Sequence, residues 1–225
     1  MDISLIDDAP LFAGIDPEER ADLLAATTVT RLSRGDVLFH QGDTGDTFYI
    51  VATGKLKLGW RAADGRESLI AILGPGEMIG ELTLFDPGPR TATAVAVSDT
   101  ELSTLSHSQL TAEIGRHPEV ATHLLSALAH RLRRTNEIIG DLVFCDVPGR
   151  VARTILDLAS RFGTPQGRGT YVRHDLTQEE LAQLVGASRE TVNKALSGFA
   201  QRGWIRLEGR ALSVLDMERM RRRAR

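Results

Sequence analysis

The sequence predicts an α+β chain in three parts: a β-rich N-terminal body closed as a sandwich or barrel, one long helix, and a C-terminal winged helix-turn-helix. Three observations carry this. Residues 28–106 hold short β-favouring runs cut by glycines at close, regular intervals, the pattern of a sandwich or barrel. From His117 to Phe144 apolar residues recur at three and four with no proline after Pro118, a helix of roughly 40 Å at helical rise. Residues 177–198 read as a capped helix, a glycine turn and a second capped helix, followed by a small hairpin.

In chain order, Asp16-Pro17 opens a helix that continues to Ala26. The β runs are Val37–Phe39, Thr47–Val51, Lys55–Leu58, Ser68–Leu73, Thr93–Val97 and Glu101–Leu105. Asp64-Gly65 is a hairpin turn signal. The alternation Lys55-Leu56-Lys57-Leu58 gives that strand one wet face and one dry face. A short helix over 108–115 precedes the long one. In the long helix Ala121, Leu124, Leu128, Ile138 and Leu142 form a heptad seam flanked by Leu125, Leu132 and Ile139. Arg131 and Thr135 stand where two seam layers belong. Buried polar layers are costly unless something polar meets them, so the helix reads as a dimer axis whose middle touches a polar ligand.

Asp146-Val147-Pro148-Gly149 breaks that helix, and an amphipathic helix from Arg150 to Phe162 follows, with Val151, Ile155, Leu158 and Ala159 on one face. A glycine-rich loop, Gly163–Gly169, leads to a strand at Tyr171-Val172. Thr177 with Glu180 has capping-box spacing; Leu181, Ala182, Leu184 and Val185 give an apolar face, and Gly186 permits a tight left-handed turn. Ser188 caps the second helix, whose inward residues are Val192, Ala195, Leu196 and Phe199. Trp204–Leu207 and Ala211–Leu215 flank Glu208-Gly209 as a wing, and a basic tail ends with Arg221, Arg222, Arg223 and Arg225.

The 225 residues are 42% hydrophobic and 25% charged, the composition of an ordinary globular protein. No run approaches a membrane span, and the acidic start lacks the basic-then-apolar order of a signal peptide. The single cysteine, Cys145, excludes an internal disulfide and an all-cysteine metal cluster within one chain. These features together predict a cytoplasmic protein. Residues 1–144 carry 12 basic against 21 acidic side chains, whereas residues 145–225 carry 15 against 9. A basic C-terminal third on an acidic body points to a polyanion partner for that third, with uneven surface charge as the plainer alternative.

The chemistry concentrates in Gly76–Leu82 and Asp86–Ala92. Arg90 and Thr91 suit a phosphate, by a charge-assisted fork and a hydroxyl contact. Glu81 suits a sugar hydroxyl. The plainer alternative is that Arg90 and Glu81 pair with each other and pin the loop. The sequence shows no nucleophile–base pair, no metal quartet and no His-x-His pair, so neither an enzyme nor a jelly-roll metalloenzyme is expected.

Gly80-Glu81-Leu82 followed by Pro89-Arg90-Thr91-Ala92 resembles the phosphate-binding cassette of bacterial cyclic-nucleotide regulators. Arg131–Asn136 resembles the part of their dimer helix that meets the nucleotide, and Leu176–Leu196 resembles their helix-turn-helix. Three signatures in one order make the chain similar to the cyclic-AMP receptor protein (catabolite activator) type of the CRP/FNR family.

The resemblance implies a β-roll (double-stranded β-helix or jelly-roll) cyclic-nucleotide-binding domain over 1–116, a dimerisation helix over 117–144 and a winged helix-turn-helix DNA-binding domain over 145–225. It implies cyclic AMP as ligand, no cofactor, and contacts from Gly80, Glu81, Leu82, Arg90, Thr91, Arg131, Thr135 and Asn136. Thr91 stands where serine is commoner. Thr135 would meet the adenine of its own subunit. Asn136 replaces a serine that reaches the partner subunit's ligand, which leaves that contact open.

For DNA it implies Thr177, Gln178, Ser188, Arg189, Glu190, Thr191 and Lys194. Arg189, Glu190 and Lys194 would read bases, and Ser188 and Thr191 would reach phosphates. Lys194 replaces a more usual arginine and loses its fork; a solvated surface charge is the plainer alternative. The implied partners are double-stranded DNA, a second copy of the chain and RNA polymerase, with no membrane. An iron–sulfur branch lacks its N-terminal cysteines, and the six histidines are scattered. A regulator of the same fold that is ligand-independent or uses another effector, such as cyclic GMP, stays open.

Overall fold

A computed structural model describes residues 27–224; the helix expected over Asp16–Ala26 lies outside the described residues. The chain divides into two compact units. One takes residues up to 66 and 71–134, the other 67–70 and 135–225. The division falls within the long helix.

Up to the long helix the described chain is built on strands β1 (Thr28–Leu32), β2 (Val37–Phe39), β3 (Thr47–Thr53), β4 (Leu56–Arg61), β5 (Glu67–Leu73), β6 (Met78–Ile79), β7 (Thr93–Ala96) and β8 (Thr100–Ser106). They form two four-stranded sheets, ordered β1-β8-β3-β6 and β2-β7-β4-β5. β8 pairs antiparallel with β1 and β3, β3 with β6, and β7 with β2 and β4. Every strand expected from the sequence is present. β1 and β6 are additions, as is a one-turn helix α1 (Leu82–Phe85). Helix α2 (His107–Arg116) starts at a capping box between Ser106 and Gln109.

The pleat explains the core. On β3, Phe48, Ile50 and Ala52 point to one face and meet Leu105, Leu110, Val120 and Leu124. Val51 points to the other and joins Leu56, Leu73, Ile79, Ala94, Ala96 and Leu102. Because β3 is covered on both faces, it reads as a nearly continuous apolar run.

In the long helix α3 (Glu119–Phe144) one expected seam residue, Leu124, faces the core of its own unit instead, while Ile138 and Leu142 of the same seam are exposed. Leu124 is fully buried in the core of its own unit, with Val120 beside it and Ala127 packed against the same cluster. Burying a leucine there contributes about 1.5–3 kcal/mol. The large apolar side chains left exposed at seven-residue spacing are Leu125, Leu132 and Ile139. Two apolar faces at the same three-and-four spacing share one helix, and spacing alone does not tell which faces inward.

The second unit holds the end of α3, then α4 (Val147–Phe162), β9 (Gly163–Gln166), β10 (Gly169–Arg173), α5 (Gln178–Val185), α6 (Arg189–Gln201), β11 (Ile205–Glu208), β12 (Ala211–Val214) and α7 (Met217–Arg223). The expected break at Asp146–Gly149 is only a joint. Asp146 is the N-cap of α4, accepting from the Gly149 N–H at 2.9 Å, and Pro148 sits in the first turn, where a missing N–H costs nothing. The expected Gly163–Gly169 loop is a hairpin, with Gly167 at positive φ in its turn and Pro165 on the edge strand β9 of the sheet β11-β12-β10-β9. The basic tail is the helix α7, anchored by buried Met220.

Asp146 also ties α7 to the joint, since Arg223 Nη2 donates to its Oδ2 at 2.6 Å. That bond, helped by the Gly149 N–H, holds the Asp146 carboxyl below the usual carboxylate range. Its stabilisation is therefore present above about pH 4 and is lost as pH falls through the lowered value. Asp146→Ala is expected to cost about 1 kcal/mol of stability at pH 7 by loss of the cap. Thermal unfolding at pH 7 and at pH 3 checks this: the gap between wild type and variant should narrow at the lower pH, as the unfolded-state carboxyl becomes protonated.

Candidate ligand cavity and reading helix

The cavity in the first unit grows from one glycine. β6 ends at Ile79, and Gly80 takes φ +89°, turning the chain so that Glu81 becomes the N-cap of α1. A Cβ on Gly80 would lie 2.6 Å from Arg90 Nη1 and from the Thr47 carbonyl, and one on Gly45 only 2.2 Å from Arg90 Nε. These two glycines make the slot in which the guanidinium lies.

Arg90 is 4% exposed. Its Nη2 donates to the Thr47 carbonyl at 2.7 Å, and its Nη1 to the Gly80 carbonyl at 3.2 Å and to Thr83 Oγ1 at 3.4 Å. The guanidinium carbon lies 4.5 Å from the centre of the Phe39 ring and 5.9 Å from that of Tyr49. Its Nε is buried without a partner, and among the described residues no carboxylate pairs with it.

Glu81 is 1% exposed. Its Oε1 accepts from Arg131 of α3, which also donates to the Met78 carbonyl. Its Oε2 is buried with no donor. The alternative in which Arg90 and Glu81 pin each other is thus not what the fold adopts. One cavity of about 60 Å³ is lined by Phe39, Leu58, Gly80, Glu81, Arg90 and Arg131, with Leu82 and Thr91 also on its wall. A buried cation lacking an anion and a buried acceptor lacking a donor face the same space. Such groups are costly unless a ligand completes them.

Six of the eight expected ligand residues come together here. Thr135 and Asn136 are exposed on α3 and do not line the cavity. Gly45, Thr83 and the rings of Phe39 and Tyr49 were missed, because they reach Arg90 from segments with no spacing relation to it. Among the described residues no group of His, Cys, Asp and Glu could hold a metal ion, and no helix is long and apolar enough to cross a membrane.

In the second unit, Thr177 and Glu180 close a reciprocal capping box on α5, and Gly186 at φ +69° ends that helix. Leu181, Ala182, Val185, Val192, Ala195, Leu196 and Phe199 are buried, which fixes α5 against α6. Arg189, Glu190, Thr191 and Lys194 are exposed at the start of α6. Arg189, Glu190 and Lys194 make no side-chain ion pair or hydrogen bond among the described residues. Ser188 Oγ caps the Thr191 N–H and bonds Thr191 Oγ1 at 2.8 Å, so these two hydroxyls first serve the helix start. Thr177 is spent on its cap, while Gln178 Oε1 is buried without a partner.

Residues 29–117 match the family described as cyclic nucleotide-binding domain, and residues 149–223 that described as Crp-like helix-turn-helix domain. A CRP-like cAMP-activated global transcriptional regulator of Mycobacterium tuberculosis is 52% identical over 96% of this chain and 97% of its own. The cyclic AMP receptor protein of Thermus thermophilus is 43% identical over 88% of this chain and 89% of its own. Among solved structures, the c-di-GMP-responsive regulator CLP of Xanthomonas campestris superposes with TM-score 0.76 at 27% identity, covering 88% of this chain and 99% of that one. The catabolite activator protein of Thermus thermophilus gives 0.56 at 38% identity, over 96% and 98%.

Proposed function

The chain belongs to the CRP/FNR family of transcription regulators, whose members pair a cyclic-nucleotide-binding domain with a Crp-like helix-turn-helix, and from that premise we propose a cyclic-AMP-responsive homodimer that binds near-palindromic promoter DNA. The observation that carries the ligand reading is the pair of incomplete buried groups in one cavity: the Arg90 guanidinium with no carboxylate and Glu81 Oε2 with no donor. A cyclic nucleotide supplies one phosphodiester negative charge and one ribose hydroxyl, which are the two complements needed. Arg131, bonded to Glu81 on the wall of the same cavity, lies near the ligand in this reading. In this reading Thr91 adds a hydroxyl at the phosphate, Thr135 is assigned to the adenine of its own subunit, and Asn136 to the ligand of the partner subunit. The proposed boundaries are 1–116 for the ligand domain, 117–144 for the dimer helix and 145–225 for the reader.

Arg189, Glu190 and Lys194 form the base-reading face, Ser188 and Thr191 reach phosphates, and Thr177 and Gln178 complete the DNA-binding set. A two-fold dimer reads half-sites whose centres lie roughly 34 Å apart. RNA polymerase is the proposed protein partner, and the cytoplasm the compartment. Arg189→Ala is expected to cost about 1–3 kcal/mol and to relax one base position. Competition binding across a panel of half-site variants checks it; an equal loss for every sequence would make Arg189 a phosphate contact.

The whole reading is tested by calorimetry with cyclic AMP, cyclic GMP and cyclic di-GMP, together with palindromic-DNA binding at fixed salt with and without each nucleotide. Tight cyclic-AMP binding and a gain in DNA affinity are expected. DNA binding indifferent to all three would favour the ligand-independent regulator.

A further inference from the structure

Helix ends leave carbonyls without partners, and a cation near them is stabilising. Neither α3 nor α5 has a basic residue in its last turn. One side chain from elsewhere serves both. Arg150, in the first turn of α4, donates from Nη1 to the Cys145 carbonyl at 2.9 Å, just past the end of α3. From Nε it donates to the Val185 carbonyl at 3.1 Å, and from Nη2 to the Gly186 carbonyl at 3.1 Å, at the end of α5.

Two neighbours reinforce this bridge. Leu142, in the last turns of α3, lies so close to Gly186 that a Cβ there would be 2.9 Å from its Cδ2. Asp141 accepts from Arg153, which also donates to the Ala224 carbonyl. The end of α3 is therefore held by α4 and by the helix-turn-helix turn together. α6 begins with its cap, Ser188, two residues beyond Gly186. Any movement of Gly186 moves Arg189 and Glu190 with it.

We propose that Arg150 is a positioning residue that locks the reading helix to the end of the long helix, by bridging the Cys145 carbonyl to those of Val185 and Gly186. The inference rests on the regulator reading above. Reading two half-sites at once requires each reading helix to follow its dimer helix rigidly; a loosely joined reader would leave the nucleotide-favoured arrangement without a fixed groove spacing. The three carbonyls are each met by a different nitrogen of one planar fork; a lysine ammonium keeps the charge but has its three donors on a single atom, without that spread.

The experiment uses full-length protein, wild type, Arg150→Lys and Arg150→Gln. Melting temperature and cyclic-AMP affinity are measured, then palindromic-DNA affinity with and without cyclic AMP. Maleimide labelling of Cys145, the chain's one cysteine, reports on the joint without any nucleotide. Arg150→Lys is expected to keep its melting temperature and to bind cyclic AMP within about twofold of wild type, while the gain in DNA affinity on adding nucleotide shrinks about tenfold, within the usual span of allosteric coupling. Cys145 should label several times faster. Arg150→Gln, which also loses the charge, should go further in the same direction.

An unchanged gain would overturn the proposal and leave Arg150 a helix cap, as would an equal fall in DNA affinity with and without nucleotide. If wild type itself ignores cyclic AMP, the regulator reading fails, and the labelling decides Arg150 separately: unaltered Cys145 reactivity in Arg150→Lys would overturn the lock.

Discussion

Arg90→Ala is expected to weaken cyclic-AMP binding by roughly 2–4 kcal/mol, about thirty- to several-hundred-fold. The guanidinium lies in a slot cut by Gly45 and Gly80 and rests on the Phe39 ring. Its protein partners are two carbonyls and one hydroxyl, none of which cancels its charge. A phosphodiester in the cavity would meet that charge away from water, where the interaction is strong. Without ligand the buried cation is already poorly compensated, so removing it should change folding stability far less than ligand affinity. Arg90→Lys separates charge from geometry: it should recover part of the loss but lack the fork. Calorimetry at constant salt gives the affinities, and thermal unfolding gives the control. Near-native affinity in Arg90→Ala would sink the phosphate assignment.

The contrast between Arg90 and its surroundings shows what was legible in the sequence. Glu81 and Arg90 stood out because charged residues among glycines in a loop between strands have few structural uses. Their true partners did not stand out. Glu81 pairs with Arg131, 50 residues away, and Arg90 rests on Thr47, Thr83 and Phe39, which no local pattern connects. The strands with strong alternation or continuous apolar runs were legible. β1 was not, because its residues are mostly exposed or half-buried and give a weak apolar signal; nor was β6, because two residues carry no period. The hairpin of β9 and β10 hid behind glycine and proline, which mark turns and edge strands alike. Helix caps were legible to the residue, at Thr177, Ser188 and Gly186, because each needs a particular side chain at a particular backbone geometry. The bridge made by Arg150 was invisible, since its three acceptors are backbone carbonyls, which every residue has.

The second large effect concerns the exposed stripe of the long helix. Leu132→Glu is expected to turn a dimer into a monomer at micromolar concentration, by sedimentation velocity or light scattering, and to abolish tight binding to palindromic DNA. Leu125, Leu132 and Ile139 are 67%, 62% and 54% exposed on one helix at intervals of seven, an arrangement that a lone helix gains nothing from but a paired helix buries. In a two-fold seam each substitution counts twice. Two lost leucines at about 1.5–3 kcal/mol each, plus two carboxylates brought together, exceed what a micromolar dimer can absorb. The companion variant Leu124→Glu distinguishes the two faces of the helix. Leu124 is wholly buried against Phe48, Ile50 and Leu105, so a carboxylate there should unfold the first unit and lose nucleotide binding as well. Leu132→Glu should instead keep the melting of that unit and the cavity contacts of Arg90 and Glu81, all of which come from within one chain. A Leu132→Glu protein that stays dimeric would move the seam off this stripe. One that unfolds as Leu124→Glu does would mean that the two faces are not divided between core and partner.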